Sequence, residues 1–176
     1  MLSCDAVHVH GEKRQKKGIS VTIENGMAAP DFALPDGDGQ TVELSALRGH
    51  PVVVYFYPKD DTSGCTAEAK DFTCLAGEFR GAQAELLGIS PDSPASHRKF
   101  QEKHALDVRL LSDEARSVAE AYGVWVEKSM YGRKYMGVER ATFLIDKSGN
   151  IARVWRNVRV PGHAEEVLAA VRAMKG

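Results

Sequence analysis

Three features of the sequence predict an α/β protein with a central mixed β-sheet flanked by helices. Short apolar segments alternate with amphipathic ones, a β-branched and aromatic run, Pro51-Val52-Val53-Val54-Tyr55-Phe56-Tyr57, has no polar interruption, and a hairpin followed by a helix closes the chain. In order, Phe32-Ala33-Leu34 and Thr41-Val42-Glu43-Leu44 flank Asp36-Gly37-Asp38-Gly39, which predicts an N-terminal β-hairpin. The run from Pro51 to Tyr57 reads as a strand buried on both faces. After a polar loop, Phe72, Leu75, Ala76 and Phe79 share one face of a helix from about Cys65 to Arg80. Glu85 to Ser90 is a strand, Pro94 to His104 a helix, and Val108 to Leu111 an extended stretch, which together make a βαβ alternation. A further helix is expected from Glu114 to Tyr122, and Lys128 to Lys134 reads as a polar connection. Thr142 to Asp146 and Ile151 to Trp155 pair across the turn Lys147-Ser148-Gly149-Asn150, and a helix from Gly162 to Met174 ends the fold.

A length of 176 residues suits one domain, placed at residues 19–176 and preceded by a basic extension, residues 1–18, that has no apolar periodicity and is read as flexible. Lys and Arg number 23 against 24 Asp and Glu, so nothing in the charge balance recommends nucleic acid or an anionic membrane as partner. The apolar runs are far too short to cross a bilayer, and the first residues lack the pattern of a secretory signal. Cys4, Cys65 and Cys74 are too few and too unevenly spaced for a disulfide framework, which makes a reducing compartment, the cytoplasm, the expected location.

The loop after the buried strand is where an open α/β sheet binds ligands, and Cys65 falls there, at the predicted start of a helix. Open N–H groups and the macrodipole favour an anion at that position, which would promote a nucleophilic thiolate. Gly64 allows a close turn into the helix, Thr62 can bring a hydroxyl beside the sulfur, and Pro58 can shield the pocket without offering a competing N–H. The alternative is a cysteine serving as a small buried hydrophobe behind a helix cap.

Beyond that spacing, Pro58-x-x-x-Thr62-x-x-Cys65 resembles the peroxiredoxin active-site pattern. The longer string from Tyr57 to Ala69 is similar to the bacterioferritin comigratory protein (PrxQ) branch of that family. Ala29 to Pro35, Gly88 to Ser93 and Gly137 to Asp146 extend the likeness, which covers Ile19 to Gly176. The resemblance implies a thioredoxin-like fold and thiol-dependent reduction of hydrogen peroxide and organic hydroperoxides, with no bound cofactor and with thioredoxin or another thiol as reductant. It implies Cys65 as the nucleophile, oxidised to a sulfenic acid. It also implies Arg140 as stabiliser of the thiolate and of the breaking O–O bond, Thr62 and the Cys65 N–H as holders of the peroxide oxygens, and Glu68 as the carboxylate that orients Arg140.

The chain departs from that branch at Lys70, where many members carry a second, resolving cysteine, and the helix from Pro94 to His104 holds no cysteine either. Cys74 lies on the far side of the helix from Cys65, about 13 Å along its axis, so a bridge would require unwinding. A one-cysteine mechanism resolved by an external thiol is the expectation, with Cys74, Cys4 or a second subunit as alternative resolvers. The oligomeric expectation is a monomer or weak homodimer. Cys4, His8 and His10 make too small a set for a metal, and none is assigned. His97 and His104 are expected in solvent on a polar helix, and His163 reads as a cap-region residue. Trp125, Tyr131 and Tyr135 are expected to pack, with a substrate wall or a dimer contact as the alternatives. The rival functional reading is a redox-sensing or chaperone-like binding protein without turnover.

Overall fold

The computed structural model describes residues 22–174. The expected flexible extension, with Cys4, His8 and His10, lies outside that range. The β-branched run forms β3 (Val52–Phe56), and every residue of it is buried. Its side chains alternate between two cores, as the period of a strand requires. Val52, Val54 and Phe56 face one, while Val53, Tyr55 and the following Tyr57 face the other.

Around β3 the sheet is assembled from β4 (Glu85–Ser90), β5 (Arg109–Ser112), β8 (Ala141–Ile145) and β9 (Ile151–Trp155), in the order β5-β4-β3-β8-β9. The β3–β4 and β4–β5 pairs are parallel, and β3–β8 and β8–β9 are antiparallel, so the sheet is mixed. The helices α1 (Ser63–Gly81), α2 (Pro94–His104) and α4 (His163–Ala173) contribute Phe72, Phe79, Phe100, Val167 and Val171 to the Tyr55 face. Each such buried side chain contributes about 1.5–3 kcal/mol through removal of apolar surface from water. The opposite face is covered by α3 (Ser117–Ala121) and by the N-terminal hairpin of β1 (Ala33–Pro35) and β2 (Thr41–Glu43). Helices on both faces and the N-terminal hairpin therefore stand as expected from the sequence.

The hairpin of β6 (Trp125–Met130) and β7 (Arg133–Val138) differs from expectation, because the stretch read as a polar connection is a regular antiparallel ribbon outside the main sheet. Its turn, Tyr131-Gly132, has positive φ at both residues, 52° and 76°. That is the hairpin conformation Asn-Gly usually supplies, and the Tyr-Gly pair does not announce it. Tyr131 is 98% exposed, and Tyr135, Met130 and Met136 are exposed too, so the packing expected of Tyr131 and Tyr135 is corrected. Trp125 does pack against the core, beneath the Arg116 guanidinium at 4.9 Å. The helix expected from Glu114 to Tyr122 is shortened to Ser117–Ala121. Among the described residues no helix is long and apolar enough to cross a membrane.

Candidate active site

The polar loop after Tyr57 carries the chain from the end of β3 into α1, and Thr62 is the N-cap in extended conformation. Its carbonyl accepts the first helical hydrogen bond, from the Thr66 N–H at 2.8 Å, but its side chain does not cap the helix. The Thr62 hydroxyl donates instead to the Lys59 carbonyl at 2.9 Å, which leaves the oxygen's lone pairs as acceptors. Intrahelical geometry leaves the N–H groups of the first turn, including that of Cys65, directed at the mouth of the helix. Cys65 is 2% exposed, while Pro58 beside the loop is half-buried.

Arg140 sits between β7 and β8 and reaches back over this helix start. Its Nη2 lies 3.2 Å from Cys65 Sγ, and its Nη1 donates to Glu68 Oε1 at 2.7 Å. A guanidinium that touches both groups fixes the sulfur and the carboxylate in one plane of donors. Gly64 has a steric role here that spacing did not reveal, since a Cβ on it would stand 3.1 Å from Arg140 Nη2. Burial works against the Arg140 charge, but the adjacent Glu68 and Cys65 outweigh it and hold the guanidinium above its ordinary range. The structure thus brings Cys65, Arg140 and Glu68 into contact, sets Thr62 and Pro58 on the same loop, and leaves Cys74 exposed.

Glu68 is buried, and its Oε2 has no partner among the described residues. Burial pushes its carboxyl from an ordinary value of 4.5 up to about 7, against the pull of Arg140. The folded protein therefore binds this proton more tightly than the unfolded chain, and stability falls as pH rises from about 5 to about 7. Below that window both states are protonated and the contribution is flat. Urea unfolding across this range is expected to show wild type weakening relative to Glu68→Gln, which has no proton to lose. Parallel stability curves for the two proteins would exclude it.

Sequence reasoning missed several neighbours of the site. Lys128, on β6, is half-buried with its stem along Gly137, and burial together with the Arg140 charge holds its ammonium below the ordinary range. His97, expected in solvent, is fully buried and bonded to Asp60, because α2 turns this polar position inward onto Tyr57. His104 is partly covered and lies 2.8 Å from Asp61, so it too departs from a freely solvated residue. The partner loop lies about 40 residues upstream in sequence, and no local periodicity encodes such a contact. His163 opens α4, with Nε2 2.8 Å from the Thr142 hydroxyl. Among the described residues no group of three or more His, Cys, Asp or Glu side chains is arranged to hold a metal ion.

Fold and site together define the class: a mixed-sheet protein of the thioredoxin-like kind whose buried cysteine opens a helix under an arginine. Comparison with known proteins narrows this. The AhpC/TSA family matches residues 25–154. The peroxiredoxin Bcp of Bacillus subtilis (strain 168) is 47% identical over 154 residues, spanning 88% of this chain and 98% of the relative. The Xanthomonas campestris bacterioferritin comigratory protein, in a structure concerned with its alkyl peroxide reduction activity, superposes with a TM-score of 0.79 at 43% identity. That alignment covers 86% of this chain and 96% of the other. Peroxidoxin BcpB from Mycobacterium tuberculosis gives 0.77 at 38% identity, covering 88% and 99%. The chain belongs to the AhpC/TSA family, on its Bcp (PrxQ) peroxiredoxin branch, and is a thiol-dependent peroxidase.

Proposed function

We propose that Cys65 is the peroxidatic nucleophile and that Arg140, Thr62 and Pro58 complete the site, with Glu68 orienting Arg140. The observation that carries this reading is the 3.2 Å contact between Arg140 Nη2 and Cys65 Sγ. A thiolate at Sγ attacks the terminal peroxide oxygen. An S–O bond forms as the O–O bond breaks, Cys65 becomes a sulfenic acid, and the departing oxygen takes a proton and leaves as water or alcohol. The arginine and the Cys65 N–H meet the charge that develops on the oxygens, where fixed donors help most. Hydrogen peroxide and organic hydroperoxides are the proposed substrates, and the alkyl peroxide reduction of the Xanthomonas campestris relative supports the organic class.

Resolution is assigned to an external thiol, with thioredoxin as the proposed donor. That thiol attacks the sulfenic sulfur, expels water and forms a mixed disulfide, which a second thiol of the reductant then releases. The placement of Cys65 and Cys74 on opposite sides of one helix, the first buried and the second exposed, supports this over an internal bridge. An exposed free thiol also suits a reducing compartment, and the cytoplasm is the proposed location. The reading takes the protein to act as a monomer or weak homodimer without nucleic acid or membrane. Peptide mass spectrometry after one equivalent of hydrogen peroxide with a sulfenic-acid trap is the test, run on wild type and Cys74→Ser. Trapped sulfenic acid on Cys65 in both is the expected result; a Cys65–Cys74 bridge in wild type would overturn the external resolver, and an unmodified Cys65 would overturn the peroxidatic assignment.

A further inference from the structure

The loop that presents Cys65 is tied down at one residue by an unusual number of bonds. Asp60 Oδ1 accepts the Tyr57 hydroxyl at 2.6 Å, and its Oδ2 accepts the Ser96 hydroxyl at 2.8 Å while lying 2.8 Å from His97 Nδ1. The Asp60 N–H donates to Asp92 Oδ2 at 2.8 Å, and that oxygen also accepts the Ser90 hydroxyl at 2.6 Å. His97 Nε2 lies 2.9 Å from the Leu111 carbonyl, so the ring bridges the loop carboxylate and β5. Tyr57, Asp60 and His97 are all buried. The end of β3 and the first turn of α2 thus meet at one carboxylate five residues before Cys65, while the end of β4 holds the Asp60 N–H through Asp92 and β5 is joined to the cluster through His97. At its other end α2 grips the next loop residue, where Lys103 Nζ and His104 Nε2 reach the Asp61 carboxylate at 2.6 and 2.8 Å. Asp61 itself has φ of 58°, a left-handed conformation that an aspartate adopts when its surroundings hold it there.

We propose that Asp60, held by His97, is a positioning residue of the peroxidase reaction: it fixes the loop so that Thr62, Pro58 and the Cys65 N–H face the peroxide together. The inference rests on the peroxidatic reading of Cys65. It goes beyond that reading by assigning α2, which holds no cysteine here, a part in shaping the oxidation site from the side away from Arg140. Neither Asp60 nor His97 touches Cys65 or Arg140 in the hydrogen-bond network, so their effect passes through the backbone of residues 58–64. Displacement of reacting groups by about 1 Å costs about a hundredfold in rate, so a loosened loop is felt at the sulfur without loss of any reacting group.

Two substitutions of His97 separate the two ends of the ring, because an asparagine amide reaches where Nδ1 sits and a glutamine amide where Nε2 sits. The second-order rate of Cys65 oxidation by hydrogen peroxide, amide exchange over residues 57–66 and thermal unfolding would be measured for wild type, His97→Asn and His97→Gln. His97→Gln, which keeps the Leu111 bond and loses Asp60, is expected to oxidise about tenfold more slowly and to exchange faster in the loop. His97→Asn, which keeps Asp60, is expected to stay within about threefold of wild type. Wild-type oxidation in His97→Gln, or equal losses in both variants that track their melting temperatures, would overturn the proposal. If the glutamine variant does not fold, the Tyr57→Phe/Ser96→Ala double variant decides instead, since it strips two donors from Asp60 without burying a new polar group. A slowed oxidation with faster loop exchange supports the proposal, and unchanged values overturn it. A wild-type Cys65 inert to peroxide would instead bring down the peroxidatic reading itself.

Discussion

Arg140→Ala is expected to slow the oxidation of Cys65 by hydrogen peroxide by about 10²- to 10³-fold, the usual consequence of removing a fixed donor from developing charge. The guanidinium contacts the sulfur and Glu68 at once, so its removal takes away a partner of the nucleophile and of a buried carboxylate together. Arg140→Lys restores the charge but not the planar fork that spans Sγ and Oε1, and is expected to recover only part of the rate. Stopped-flow fluorescence or competition kinetics reads both variants directly. Rates near wild type in Arg140→Ala would remove the arginine from the reaction. Glu68 need not remain charged in that variant, because a carboxyl already raised to about 7 by burial takes up a proton instead, so the melting temperature should fall less than the rate.

Cys65→Ser is expected to abolish peroxide turnover with any thiol donor, because an alkoxide is not accessible at this site and serine offers no sulfur to oxidise. The fold should survive the exchange of one small buried side chain for another, and thermal unfolding checks this. The variant also separates an enzyme from a redox-sensing protein: wild type must consume many equivalents of peroxide per chain in the presence of reductant, and the serine variant none beyond background. Residual stoichiometric oxidation at Cys74, which is exposed, would register as a single equivalent and not as turnover.

The parts of the molecule that were legible in the sequence are those whose packing is local or periodic. The run from Val52 to Phe56 has no polar residue because both faces are buried, and Phe72, Ala76 and Phe79 repeat on one helical face because a single sheet lies beneath them. The parts that were not legible depend on contacts across long separations or on exposure. The hairpin of β6 and β7 projects from the sheet with most of its residues exposed, so its strands carry no regular alternation of polar and apolar residues, and its turn uses tyrosine where asparagine would have marked it. His97 lies on a helix with a polar composition, and only the arrival of Asp60 and Leu111 from other elements explains why it is inside. Within the site, Cys65, Thr62, Pro58 and Glu68 sit on one short stretch of chain. Arg140 is 75 residues away, and no pattern in the residues around it announces the contact without a resemblance to guide it.

The distribution of sulfur in the molecule bears on how long it can work in the presence of its own substrate. Among the described residues, Cys65 is the only buried sulfur: Met27, Met130, Met136 and Cys74 are exposed, Met174 is half-covered at the edge of one core, and apart from Cys65 the buried residues of the two cores are valine, leucine, isoleucine, alanine and aromatic rings. Conversion of a methionine to its sulfoxide places a polar group where an apolar one was, and inside a packed core it would cost contacts that the fold needs. Here that damage falls on the hairpin and the periphery, where water already meets the side chain. Oxidative wear is thereby kept apart from structural integrity, and the interior offers peroxide a single sulfur whose oxidation can be reversed.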